Sequence, residues 1–169
     1  MKITVPTENG YLADRYSKHA TEKEYYNKNP FISFPVQVTD LPTGTKTWAL
    51  TLLDFDAVSV SGFPWIHWIA ANIPATELQL TENASREQTD NFIQGKNSLA
   101  SPFIGEKDPL SSEHYIGPTP PDKDHDYQLT VYALDQQLEL KSGYWLNNFL
   151  HQSKAHTLAT EQLVLKGRV

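Results

Sequence analysis

The sequence predicts a mainly β protein: an antiparallel β-sandwich built as one domain, 1–169, with a peripheral C-terminal helix. Three observations carry that prediction. Several runs are rich in β-branched and aromatic residues and either alternate or become wholly apolar, as strands do. Clusters of Pro, Gly, Ser and Thr separate those runs, and 11 prolines against one methionine imply many loops and short elements. Helical periodicity is clear in a single segment.

Taken in chain order, "DRYSKHATEKEYY" (14–26) is mostly polar and reads equally as a short helix or a solvated loop. "FISFPVQVTDLP" (31–42) reads as a strand with Pro35 at an edge or bend. "TWALTLLDFDA" (47–57) alternates and then turns fully apolar, the mark of a central strand. "WIHWIAANI" (65–73) is a second rich run, ended by Pro74. Residues 75–112 are rich in Asn, Ser, Thr, Glu and Gly and read as long loops with one short strand at most. "YQLTVYALD" (127–135) is the clearest strand, and "QLVLKGRV" (162–169) a terminal one. The helix is placed at 142–157, capped by Ser142, with Trp145, Leu146, Phe149, Leu150 and Ser153 along one face. "LPTGTK", "SVSGFP" and "GPTPPDKD" are turns between elements.

Fourteen basic and 20 acidic residues leave a net charge of −6. Nonspecific nucleic-acid binding and docking on anionic membranes both need a basic surface, so both are disfavoured. A small phosphate ligand in a local pocket is not. With no cysteine there is no disulfide, thiolate metal site or catalytic thiol. "MKITVPTENG" lacks an apolar signal core, and no run approaches 18 apolar residues, so the expectation is a cytoplasmic protein with no integral membrane segment.

Asp54 and Asp56 stand two apart on the central run, where a period of two puts both carboxylates on the face of Leu50 and Leu52. Burying two like charges requires cations or donors beside them. The competing reading ends the strand near Leu53 and leaves both in solvent, and the pattern alone does not choose. His67 lies inside "WIHWIA", on the face of Trp65 and Ile69 by alternation. It is either a core histidine satisfied by one carbonyl or a partner of the acidic pair. In the second case a carboxylate would fix its tautomer and raise its pKa. "GPTPP" (117–121) is stiff and poor in donors, leaving amides such as those of Gly117 and Thr119 in set directions. Gly117 permits close approach of a ligand or backbone. His125 and Tyr127 share a face at the head of the next strand. His114 and His125 bracket the stiff loop.

"LDFDA" (53–57), "IHWIAANIP" (66–74), "GKN" (95–97), "YIGPTPP" (115–121), "HDYQLTVYALD" (125–135) and "AHTLA" (155–159) occur in that order. With this set of motifs the chain resembles the phosphatidylethanolamine-binding protein family, also called the Raf-kinase-inhibitor-like proteins, and especially its bacterial branch. The resemblance spans roughly residues 31 to 169 and implies a β-sandwich with peripheral helices. It implies a non-enzymatic pocket for phosphate-type anions and phospholipid headgroups, a protein partner, and a homodimer. By motif match the ligand-binding residues would be Asp54, Asp56, His67, Tyr115, Gly117, Pro118, Thr119, Pro120, His125 and Tyr127. His114 matches no family position and is left as a loop residue. The family's Asp-Pro-Asp-Ala-Pro is here Asp-Phe-Asp-Ala-Val, and its His-Arg-Tyr is His125-Asp126-Tyr127. An acidic residue in place of a basic one should weaken attraction for an anion.

The leading functional reading is therefore a binding module for phosphate, a phosphorylated small molecule or a phosphatidylethanolamine headgroup. No cofactor, metal or catalytic residue is assigned. In it the imidazoles, loop amides and a Tyr hydroxyl hold the anion, the carboxylates orient the histidines or take a ligand ammonium, and affinity weakens as pH rises through the histidine pKa values. Three alternatives stand beside it. Two Asp and two His suit Zn or Mn, although no metal-type local spacing appears. Ser59 and Ser61 lie close to Asp56 and His67, but no nucleophile elbow is present. A partner-binding scaffold with a degenerate pocket would use Trp65, Trp68 and Trp145 at an interface.

Overall fold

In the computed structural model, which describes residues 1–169, the strands in chain order are β1 (Lys2–Thr4), β2 (Tyr25–Tyr26), β3 (Asn29–Pro30), β4 (Val36–Thr39), β5 (Thr47–Asp54), β6 (Trp65–Pro74), β7 (Gln79–Leu80), β8 (Ile93–Gln94), β9 (His125–Leu134) and β10 (Thr157–Gly167). The large sheet has the order β10-β9-β5-β6-β8 and the smaller one β1-β4-β7, while β2 and β3 pair separately. Every named pairing is antiparallel. This is the β-sandwich that the apolar runs predict.

The central run does become the central strand. β5 lies between β9 and β6 with the core on one side and the C-terminal helix on the other, so nearly all its residues are buried and most are apolar. Its even positions, Trp48, Leu50 and Leu52, meet Phe34, Val36 and Val38 of the small-sheet side together with Leu129 and Val131 of β9 in the main core. On the opposite face Ala49 joins Ile69, Ala71, Tyr144 and Phe149 under the C-terminal helix. Small residues on that face let the helix approach closely.

Several elements differ from the sequence reading. The strand expected at 31–42 narrows to Val36–Thr39, because Pro35 has no N–H to give a ladder. Residues 14–26 form two single 3-10 turns and then β2, matching neither a full helix nor a plain loop. The region 75–112 holds two short strands, β7 and β8, rather than one. The helix runs over Leu146–Ser153 and not 142–157. Gly143 takes φ +79° and Tyr144 bridges Gly95, so Ser142 lies in a turn before the helix. The Asn148 side chain accepts from the Trp145 N–H at the helix start. Of the expected apolar face only Phe149 and Ser153 are buried, and Trp145 and Leu150 are exposed. β10 begins five residues earlier than its apolar segment, carried by its backbone ladder to β9.

The two register ends that matter for the site lie at the same end of the large sheet. Asp54 of β5 is opposite Tyr127 of β9 on one side and Trp65 of β6 on the other. Between β5 and β6, Leu52 faces Trp68 but Leu53 faces Ile66, so His67 is the extra residue of a β-bulge.

Candidate functional site

That bulge re-aims His67. Plain alternation puts it with Ile69, yet Ile69 packs under the helix while His67 turns inward, its ring 5.0 Å from that of Tyr127 and nearly perpendicular to it. His67 is buried. Its Nδ1 donates to the Ile116 carbonyl at 2.9 Å, and the Ile116 N–H returns a bond to the His67 carbonyl at 3.1 Å. The stiff loop thus sets the tautomer, and the acidic pair does not. Burial pushes the His67 pKa down to about 4. The Ile116 carbonyl and the Asp54 charge oppose that shift and are outweighed, and His125 adds to it. The expectation of a raised His67 pKa is corrected accordingly.

The carboxylate contact belongs to His125. Its Nδ1 faces Asp54 Oδ2 at 2.8 Å and its Nε2 faces Asp122 Oδ1 at 2.9 Å. Burial acts to lower the His125 pKa. The hydrogen bonds to Asp54 and Asp122 outweigh it and hold the pKa above the ordinary imidazole value. Asp122 is half-exposed, and the His125 hydrogen bond lowers its pKa. Asp54 is buried at the strand end, and its other oxygen accepts from the Ala57 N–H at 2.9 Å. A carboxylate at a sheet end is thereby satisfied by one imidazole and one amide.

Asp56 behaves differently. β5 stops at Asp54, so Asp56 sits in the following turn, where it accepts from the Asp126 N–H at 2.9 Å and faces Lys123. The chain then makes a one-turn helix, α1 (Val58–Ser61), closed by Gly62 at φ +86°. Ser59 and Ser61 donate to backbone carbonyls of this turn, so neither hydroxyl is set as a nucleophile. Asp126 points away from the pocket, beside Asp56 and Gln128. The charge expected to weaken attraction for an anion therefore lies outside the cavity wall.

The "GPTPP" loop is pinned from behind. Gly117 N–H donates to Pro30 at 2.8 Å, Lys18 N–H donates to Pro118 at 2.8 Å, and Lys18 Nζ donates to Pro120 at 2.7 Å. A Cβ on Gly117 would run into the Tyr16 carbonyl and stand 2.9 Å from the Pro30 ring, so the glycine serves backbone packing, not ligand approach. Tyr115 is wholly buried in the core. Its hydroxyl donates to the Tyr16 carbonyl at 2.6 Å, and burial raises its pKa well above the ordinary value.

A cavity of about 160 Å³ opens among these elements. It is lined by Asp54, His67, Thr119, Pro120, His125 and Tyr127 from the expected set, with Trp65, Pro121 and the α1 turn completing the wall. Asp56, Tyr115, Gly117 and Pro118 do not line it. His114 is remote, bonded to Pro109. Tyr127 is fully buried and its hydroxyl has no hydrogen-bond partner. Burial, and after it the Asp54 charge, push its pKa far up, so it is a donor at any ordinary pH. The Asp54 carboxylate acts on it both as a charge and as a nearby hydrogen-bond acceptor, in an alignment too poor for a well-formed bond. The Thr119 amide lies near the same hydroxyl and has no carbonyl partner. No three His, Asp or Glu side chains are grouped so as to hold a metal ion. Asp122 and the α1 turn were missed by sequence reasoning. A signal for Asp122 existed, since it lies three residues before His125.

The sequence profile of the phosphatidylethanolamine-binding protein family matches residues 2–167. The Bacillus subtilis protein YxkA is 54% identical over 161 residues, 95% of this chain and 96% of that protein. A UPF0098 protein of Chlamydia muridarum is 32% identical over 145 residues, 84% of this chain and 86% of that one. Among solved structures, the phosphatidylethanolamine-binding protein homologue CT736 of Chlamydia trachomatis superposes with a TM-score of 0.75 at 27% identity, covering 94% of this chain and 90% of that one. Escherichia coli YbcL shares the fold at a TM-score of 0.77 and 24% identity, covering 99% and 98%.

Proposed function

We propose, from the premise that this chain belongs to the phosphatidylethanolamine-binding protein family, that its pocket binds a small phosphorylated ligand and does not turn it over. Family membership supports a binding role. One observation carries the finer reading: a fully buried tyrosine hydroxyl, Tyr127, makes no well-formed hydrogen bond at the wall of a cavity that His67 also lines. A buried polar group left unmade costs about 1–3 kcal/mol, which a ligand oxygen would relieve. The cavity is close in size to one that holds a single benzene ring, about 150 Å³. That fits a phosphate or a headgroup and is too small for an acyl chain. No nucleophile is poised in it, which supports binding without turnover.

Calorimetric titration with inorganic phosphate and O-phosphoethanolamine tests the reading. Saturable binding that is weakened about tenfold or more by Tyr127→Phe is expected. Absence of heat from both ligands in the folded wild type overturns it.

We further propose a cytoplasmic homodimer that engages a protein partner. No helix is long and apolar enough to cross a membrane. Phe103 is 90% exposed, and Trp145, Leu158 and Val164 are also exposed, which supports an interface. Sedimentation equilibrium at micromolar concentration checks this, and a mass of 19.1 kDa at every concentration would rule out the dimer.

A further inference from the structure

The polar atoms of the pocket are not equally free. His125 has no open ring nitrogen, since Asp54 takes Nδ1 and Asp122 takes Nε2. His67 commits Nδ1 to the Ile116 carbonyl. A carbonyl only accepts, so Nδ1 carries the hydrogen and Nε2 of the neutral ring is a bare acceptor. Burial, which pushes the His67 pKa down to about 4, keeps that ring neutral. Beside it stand the Tyr127 hydroxyl, next to the Asp54 carboxylate, and the Thr119 amide, next to that hydroxyl; neither contact closes to good hydrogen-bond geometry. A ligand therefore meets one bare acceptor and two donors held only by poorly aligned contacts.

The charges around it are Asp54 from β5, Asp122 from the loop before β9, and His125 from β9. No Lys or Arg lines the cavity. Lys18 is committed to the Pro120 carbonyl, and Lys123 faces Asp56.

We infer that the pocket, if it binds phosphorylated ligands as read above, selects a phosphomonoester in its singly protonated form. The P–OH donates to Nε2 of His67, and the non-bridging oxygens accept from the Tyr127 hydroxyl and the Thr119 amide. A dianion has no hydrogen to give Nε2 and sets its lone pairs against that of the imidazole. Its second charge also faces two carboxylates with a single imidazolium between them. A phosphodiester carries one charge but no P–OH, so it too leaves Nε2 unpaired. The preferred ligand class is therefore a free phosphomonoester, and a headgroup still linked to glycerol is a poorer fit.

Titration of the full chain with three probes tests this: methyl phosphate, dimethyl phosphate and methylphosphonate, from about pH 5.5 to pH 8. The second ionisation of a phosphomonoester lies near pH ~6. Methyl phosphate should lose about tenfold in affinity per pH unit above that point. At the acid end dimethyl phosphate should bind about tenfold more weakly or worse. Methylphosphonate, whose second ionisation is higher, should hold its affinity to correspondingly higher pH. Equal affinity for the diester overturns the selection and leaves phosphate binding standing. So does a single pH midpoint shared by both monoanion-forming probes, which would assign the titration to His125 and Asp122. No binding of any probe overturns the broader reading and this inference together.

Discussion

His125 and His67 have the same side chain and opposite charge states, and neighbours decide which is which. Two carboxylates hold the His125 proton, and one carbonyl in a dry setting keeps His67 neutral. Truncating Asp54 leaves His125 and the Ala57 amide without their buried acceptor. Asp54→Ala should therefore cost about 3 kcal/mol in urea denaturation, as breaking a buried ion pair does. Tyr127→Phe removes a hydroxyl that Asp54 and the Thr119 amide satisfy only poorly. Its stability should match wild type or exceed it by about 1 kcal/mol, while ligand affinity drops. Asp122→Asn removes a negative charge from the His125 edge, so phosphate affinity should rise several-fold by calorimetry with little change in Tm. At this scale the sequence was half legible. Asp54, His67, His125 and Tyr127 stood out as polar groups in apolar strands. Asp56 did not separate from Asp54 by period, because the strand end that parts them is set by the α1 turn and the Asp54–Ala57 bond.

At the scale of elements, the bulge in β6 and the pinned loop place the site. The bulge puts Trp65 opposite Asp54 and turns His67 from the helix side to the pocket side. Nothing in "WIHWIA" announces an extra residue, since a bulge depends on what the neighbouring strand does. The loop owes its position to residues 16–18 and Pro30, a segment whose pattern carried almost no signal. Gly117→Ala would push the loop off the Tyr16 carbonyl and Pro30. A loss of about 2 kcal/mol is expected from thermal or urea unfolding, together with weaker ligand binding, because the loop carries the Ile116 carbonyl that holds His67. The central strands β5 and β9 were legible in kind and place, with ends off by one to three residues, because their buried positions write dense apolar and alternating runs. The C-terminal helix was legible in kind but not in length, since its start depends on the pairing of Tyr144 with Gly95.

For the molecule as a whole, the two histidines give stability a pH optimum. As pH falls from about 6.5 towards 4, the unfolded chain protonates His67 and the folded chain does not. The unfolded state then binds more protons, and stability falls. His125 has the opposite sign. Its raised pKa makes its contribution complete below the unfolded value near ~6.5, and that contribution is lost as pH rises through the folded value. Stability should peak close to pH ~6.5, and His67→Gln should flatten the acid limb by on the order of 3 kcal/mol, read from urea midpoints across pH.

His67 offers a bare Nε2 to a phosphorylated ligand. Nitrogen-15 spectra of the imidazole rings, recorded while O-phosphoethanolamine is added, test it most directly. Free His67 should carry its hydrogen on Nδ1 alone, and its Nε2 signal should move saturably on titration while His125 stays protonated between its carboxylates. A His67 hydrogen found on Nε2, or a ring that stays silent at millimolar ligand, would contradict it.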